Sequence, residues 1–410
     1  MATEELGVPG GLKFLIFEGL RLVSGLCGGK NHQVPMTLQT APAPQTRLQF
    51  IDAARAVAIL LMLEGHFISF TLAPEWQSRG HPFYETWHYV RGMTAPMFFT
   101  VTGLVFAYLL SGAREPGFFG VRRVRRGFIR AGELLLWGYL LQLDVRHLGN
   151  LSNGHPDAWS GGFHVLQCIG VGLLGLLLIF GLLRRWGLLP LMIGYTTLAL
   201  GMFLLEVVLS NHTGYVPAGA PAWLQNPLKG PLSNFPIAPW LGYTFYGAVL
   251  GVFVRIREGV THPLLMLGVG LLLRGCGKWI DQGLAVLILN LTNTRMESAV
   301  IPTGFHMRVG EMLLVLGVLI WIEKRFHPLP ARFLTVGRNT FFIYVAHTIV
   351  LYGAIFGIGL NQFWKEALNP WQAALGAVIF CGAFAWAAQG VEPAAKRWKK
   401  WRKRASGVHS

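Results

Sequence analysis

An apolar stretch, Arg47 to Phe70 (RLQFIDAARAVAILLMLEGHFISF), contains Asp52, Arg55, Glu64 and His66. A charge held in hydrocarbon costs about 3 kcal/mol or more, so ionisable residues in a membrane span mark function by default. Arg55 and His66 are eleven residues apart, about three helical turns, which places them on nearly one face roughly 16 Å apart along the axis. Asp52 and Arg55 form an ion pair near one mouth, while Glu64 falls about half a turn from the line they share with His66. Depth ordering then yields two clusters. One is cationic and sits at the inner mouth: Arg55, Arg122, Arg123, Arg125, Arg126 and Arg338, with Asn339 beside it. The other is rich in imidazole and lies deeper: His66 and His347, with Arg91, Glu311 and Glu64. Tyr344 precedes His347 by three residues and shares its face.

Such a division suits passage of an acyl group across a membrane. The nucleotide end of acyl-coenzyme A is polyanionic, and arginines hold phosphates through forked hydrogen bonds. A neutral imidazole at His66 can take the proton of an acceptor hydroxyl or amine as it attacks the thioester. Arg91 can stabilise the oxyanion that develops. Each group also has a plainer role. The run Arg122–Arg126 is ordinary decoration of a cytoplasmic loop, His347 can serve as a hydrogen bond between helices, and Arg308 with Glu311 can be a structural pair.

The surrounding chain must supply membrane spans for these residues. Hydrophobic residues make up 53% of 410 and charged residues 13%, and mean hydropathy is +0.46; these are the values of an all-α polytopic membrane protein. The net charge of +16 comes without a nucleic-acid recognition motif, and loop charge accounts for it. About ten spans are expected, over 51–72, 87–111, 124–143, 164–182, 187–209, 236–254, 262–284, 304–323, 336–358 and 371–390. Arg274, Lys278 and Asp281 interrupt the seventh, so that 284–291 can stand as a separate short segment. Even-numbered connections collect Lys and Arg while odd ones are poor in them, 73–86 holding only Arg79 and 210–235 only Lys229, which puts both termini in the cytoplasm. The long connections 144–163, 210–235 and 285–303 then face outward, where they can form a lid or acceptor site.

Three regions follow: a cytoplasmic segment over 1–48, a transmembrane domain over 49–392 and a basic tail over 393–410. The first includes an amphipathic helix at Gly11 to Leu26, lying on the membrane surface, and a Pro-containing linker. The four cysteines stand alone and offer neither a metal spacing nor a disulfide framework, so no metal is expected. Two rival functions fit the same residues. One is a proton-coupled transporter with His66, Glu64 and His347 as the relay; the other is a non-catalytic scaffold.

Arg55-x10-His66 on a first helix resembles the signature of the acyltransferase-3 family. The opening RLQFIDAARAVAILLM resembles that of the heparan-α-glucosaminide N-acetyltransferase-like proteins, as do TAPMFFTVTGLVFAYLL (94–110), LQCIGVGLLGLLL (166–178), FPIAPWLGYTFYGAVLG (235–251) and GRNTFFIYVAH (337–347). The resemblance spans about 47–390. It implies acetyl-coenzyme A, or another acyl-coenzyme A, as donor and a saccharide or glycoconjugate acceptor across the bilayer. It also implies His66 as the catalytic histidine on the acyltransferase-3 motif. In the lysosomal pattern the histidine lies further along, which keeps His81 and His88 in contention. A bacterial inner membrane, or a lysosomal-type membrane in a eukaryote, is the implied location, and a homodimer is left open.

Overall fold

The structure, a computed structural model, describes residues 48–78, 80, 82–113, 117–148, 161–212, 219–256, 262–294 and 299–405. The chain divides into two units, Met1–Arg47 and Leu48–Ser410, and every described residue belongs to the second. The surface helix expected at Gly11 to Leu26, and His81, lie outside the described residues.

The elements are almost entirely helices. They are α1 (Gln49–Thr71), α2 (Pro82–Arg91), α3 (Thr94–Ser111), α4 (Arg122–Leu140), α5 (Val165–Leu183), α6 (Leu188–Asn211), α7 (Ala222–Leu228), α8 (Ile237–Ile256), α9 (Pro263–Leu291), α10 (Phe305–Arg325), α11 (Ala331–Arg338), α12 (Thr340–Tyr352), α13 (Asn361–Trp364) and α14 (Pro370–Ala405). Among the described residues eight helical segments are long and apolar enough to cross a membrane, α2 and α3 together making one of them. A ninth arises if α11 and α12, bent by 71° at Asn339, count as one broken span. The segment expected over 124–143 is helical as α4, but its five arginines and Glu133 keep it outside that group. The interrupted seventh segment is one helix, α9, which runs on to Leu291. Residues 284–291 therefore continue a span, and the first third of the loop expected over 285–303 is helical. At the other end α14 carries its helix through the basic stretch to Ala405.

α1 packs against α3, α10, α11, α12 and α14. Its small residues Ala53, Ala54, Ala56 and Ala58 are buried, and α11 comes so close that a Cβ on Gly337 would collide with the Asp52 carbonyl. α3 and α8 meet in the same way: Gly103 faces the carbonyl of Thr244, and Gly247 that of Thr100. Without a hydrophobic force between helices in lipid, small residues that allow backbones to approach are what make such contacts tight.

Two clusters of charge within the spans are matched. Glu311 on α10 takes Arg308 at 2.8 Å and Arg274 of α9 at 3.1 Å, and it accepts the Tyr89 hydroxyl of α2. Asp281 of α9 lies 2.5 Å from His306 Nδ1 and accepts Gly304 N–H at 2.7 Å. His306 Nε2 in turn meets the Tyr246 hydroxyl of α8 at 2.8 Å. Buried charge persists when it is paired and hydrogen-bonded, and these two clusters tie α2, α8, α9 and α10 together.

Candidate active site

Two cavities lie along α1. The larger has a volume of about 680 Å³, within the range of small-molecule sites. His66, Arg91, His164, Asn234, Trp240 and Tyr344 are among its lining residues. The smaller, about 200 Å³, is lined by Arg55, Arg130 and mostly apolar side chains. Phe98 and Tyr344 line both, so these two aromatic side chains form a partition between the Arg55 chamber and the His66 chamber. Phe98 also packs against all three large hydrophobic clusters of the bundle.

At the centre of the larger chamber is a pair of histidines. His66 Nδ1 and His347 Nε2 are 3.1 Å apart, with ring centroids at 5.3 Å. His347 is fully buried, and its Nδ1 lies 3.2 Å from the Ile343 carbonyl. A carbonyl can only accept, so His347 carries its proton on Nδ1 and offers a lone pair at Nε2. His66 must then donate from Nδ1, which leaves the lone pair of the neutral ring at Nε2. One backbone carbonyl thus sets the tautomers of two rings in series. Tyr344 packs edge-on to His347 at 5.2 Å, and Tyr352 edge-on to His66 at 5.8 Å.

Arg91, at the end of α2, lies along the bare flank of Gly65. Its guanidinium stands 5.7 Å from the Trp87 ring centroid, within electrostatic reach of His66, Tyr352 and Glu64. Glu64, which α1 points away from the Arg55–His66 line, accepts the Trp87 indole N–H at 2.5 Å. α2 itself is anchored by Tyr89 on Glu311. His88 lines the same chamber.

The cationic cluster is divided. Arg55 pairs loosely with Asp52 at 3.9 Å and lines the smaller cavity. Arg122, Arg123, Arg125 and Arg126 lie exposed on the first turns of α4 and line neither cavity. Two turns on, Arg130 does, with its guanidinium 4.1 Å from the centre of Phe341 and Glu133 at 3.1 Å. Arg338 pairs with Glu392 at 3.5 Å. Asn339 hydrogen-bonds Thr335 O at 2.9 Å and lies outside both cavities. Arg130, Phe98, His164 and Asn234 were missed in the sequence. Arg130 continues the register of the exposed run on α4, and that spacing was the available signal. His164 and Asn234 sit at loop edges, where no periodicity marks them.

Residues 47–269 match the family model described as heparan-alpha-glucosaminide N-acetyltransferase, catalytic. That stretch runs from the start of α1 into α9 and includes Arg55, His66, Arg91, Phe98, Arg130, His164 and Asn234. A search of curated proteins finds no match. With more than half of its length under that model, and with a helical membrane architecture around a histidine-lined chamber, the chain belongs to the heparan-α-glucosaminide N-acetyltransferase-like family of membrane acetyltransferases.

Proposed function

We propose that the protein moves an acyl group, acetyl above all, from acyl-coenzyme A to a hydroxyl or amine of a saccharide on the other side of the membrane. The observation that supports this most is the Ile343–His347–His66 series, which ends in a free lone pair on the wall of a chamber. That chamber meets an arginine-lined cavity through a two-residue partition. Coenzyme A enters at the Arg55 end, where Arg55 and Arg130 face its anionic groups. The thioester reaches the His66 chamber past Phe98 and Tyr344. His66 Nε2 takes the acceptor's proton as the acceptor attacks the thioester carbon. The Arg91 guanidinium faces the negative charge on the carbonyl oxygen. The C–S bond breaks, and His66 returns the proton to the departing thiolate.

The transporter alternative, with His66, Glu64 and His347 as a relay, fits less well. A relay needs each member to pass a proton on, and His347 ends on a backbone carbonyl that cannot do so. Glu64 is bonded to Trp87 rather than to either imidazole.

The test uses protein reconstituted in vesicles, with labelled acetyl-coenzyme A outside and acceptor sugars inside. Wild type should label acceptor and release one thiol per acetyl group moved. His66→Ala should lose at least 10²-fold in turnover while keeping its thermal unfolding profile. Unchanged turnover would sink the assignment.

A further inference from the structure

Two short segments build part of the chamber wall and are joined by backbone rungs. Phe163 N–H donates to Leu232 O at 3.0 Å, and Asn234 N–H to Phe163 O at 3.1 Å. Three amide side chains hold the first of them. Gln142 donates to the Gly162 carbonyl at 2.9 Å and accepts its N–H at 2.6 Å. Gln167, fully buried, donates to the same carbonyl at 3.3 Å, and buried Asn226 to Gly161 O at 3.2 Å. A buried amide is costly unless bonded, and here three converge on two consecutive glycines. The segment they fix presents His164, and the rungs set Asn234 beside it. Phe235 and Trp240 follow, with ring centroids 4.9 Å apart.

The wall carries positive charge at Arg91 and no carboxylate among the described lining residues. A ring nitrogen of His164 accepts the Gln167 backbone N–H in a capping box, and burial holds the ring below the usual imidazole range. Its other nitrogen therefore carries a proton. The chamber is lined by His66, His88, Arg91 and His164, with no carboxylate among the described lining residues; Glu64 is held on Trp87.

We propose that His164, Asn234, Phe235 and Trp240 are the acceptor subsite, and that it takes an acidic pyranoside and presents a hydroxyl, rather than an amine, to His66. This rests on the acetyltransferase reading above and names its substrate class. The apolar face of a sugar ring packs on the aromatic pair, while a carboxylate or hydroxyl oxygen accepts from the His164 N–H and the Asn234 amide. An ammonium group would face Arg91 with no carboxylate counter-charge among the described lining residues. In the transfer the hydroxyl proton passes to His66 Nε2, the oxygen bonds to the acyl carbon, and the C–S bond breaks. The thiolate then takes the proton, giving an O-acyl sugar and free coenzyme A.

The full chain, purified and given labelled acetyl-coenzyme A at pH 7, is offered methyl glucuronide, methyl glucoside or methyl glucosaminide. The glucuronide should be labelled with a kcat/KM at least tenfold above the glucoside, and the glucosaminide least of all. Asn234→Ala, at an exposed position that keeps its backbone rung, and His164→Gln should each raise the KM for the glucuronide at least tenfold and leave the KM for acetyl-coenzyme A. A glucosaminide preference overturns the proposal. So does an unchanged acceptor KM in both variants, or donor turnover that labels none of the three sugars. A protein that neither binds nor turns over acetyl-coenzyme A removes the acetyltransferase reading itself, and the subsite with it.

Discussion

In the proposed transfer His347 acts as a positioning residue. It has the Ile343 carbonyl on one side and His66 on the other, so its work is to hold the neighbouring ring's lone pair at Nε2. His347→Ala should lower kcat about 10²-fold or more with little change in acceptor KM. His347→Gln, whose carbonyl can still accept from His66 Nδ1, should recover part of that loss; equal activity in the two variants would argue for a packing role alone. The arginines separate in the same manner. Arg130→Gln should raise the KM for acetyl-coenzyme A about tenfold, while Arg126→Gln should move it far less, since Arg126 is exposed and lines neither cavity. Titration calorimetry with coenzyme A distinguishes them. His66 was legible in the sequence because a histidine in an apolar run stands out. Arg130 was not, because cations in a basic run look alike until the helix shows which one turns inward.

At the scale of elements, the site depends on breaks as much as on helices. The turn at Gly92–Met93 separates α2 from α3, and Tyr89 on Glu311 fixes the segment that bears His88 and Arg91. The bend at Asn339 separates α11, which packs on Asp52, from α12, which carries His347. Hydropathy located these segments, since apolar runs betray spans, but it is blind to a bend within a run. The span expected over 124–143 is helical as α4, whose five arginines and Glu133 leave it less apolar than the eight spanning segments. Phe98 belongs to this scale, as the residue of α3 that parts the two cavities. Phe98→Ala should release thiol without labelling acceptor, raising donor hydrolysis several-fold as water reaches the thioester. Thiol release that stays matched to product would mean the ring does not guard the passage. Gly247→Ala should weaken the α3–α8 crossing by about 1–3 kcal/mol, read as a lower unfolding temperature in detergent.

Across the whole molecule, the matched charges show how a bundle with so many ionisable groups stays in a bilayer. Glu311 with two arginines, and Asp281 with His306, make internal ties of residues that look disruptive in the sequence. Apart from Arg308, three residues from Glu311, these partners are far apart in sequence: Arg274 and Glu311 are on different helices, as are Asp281 and His306. A linear reading registers each as an interruption, and only the packed helices show them as pairs. The three cysteines among the described residues are free thiols.

The aromatic partition also bears on the membrane's own integrity. Two rings between a cationic vestibule and a histidine-lined chamber make a constriction that hydrated ions cross poorly, because its walls offer them no substitute for water. In the proposed transfer a covalent cargo moves past while the electrical resistance of the bilayer is preserved. Vesicles bearing this protein should therefore hold an imposed pH gradient as long as empty ones do, even as acetyl groups cross them, and the Phe98→Ala variant should let that gradient decay.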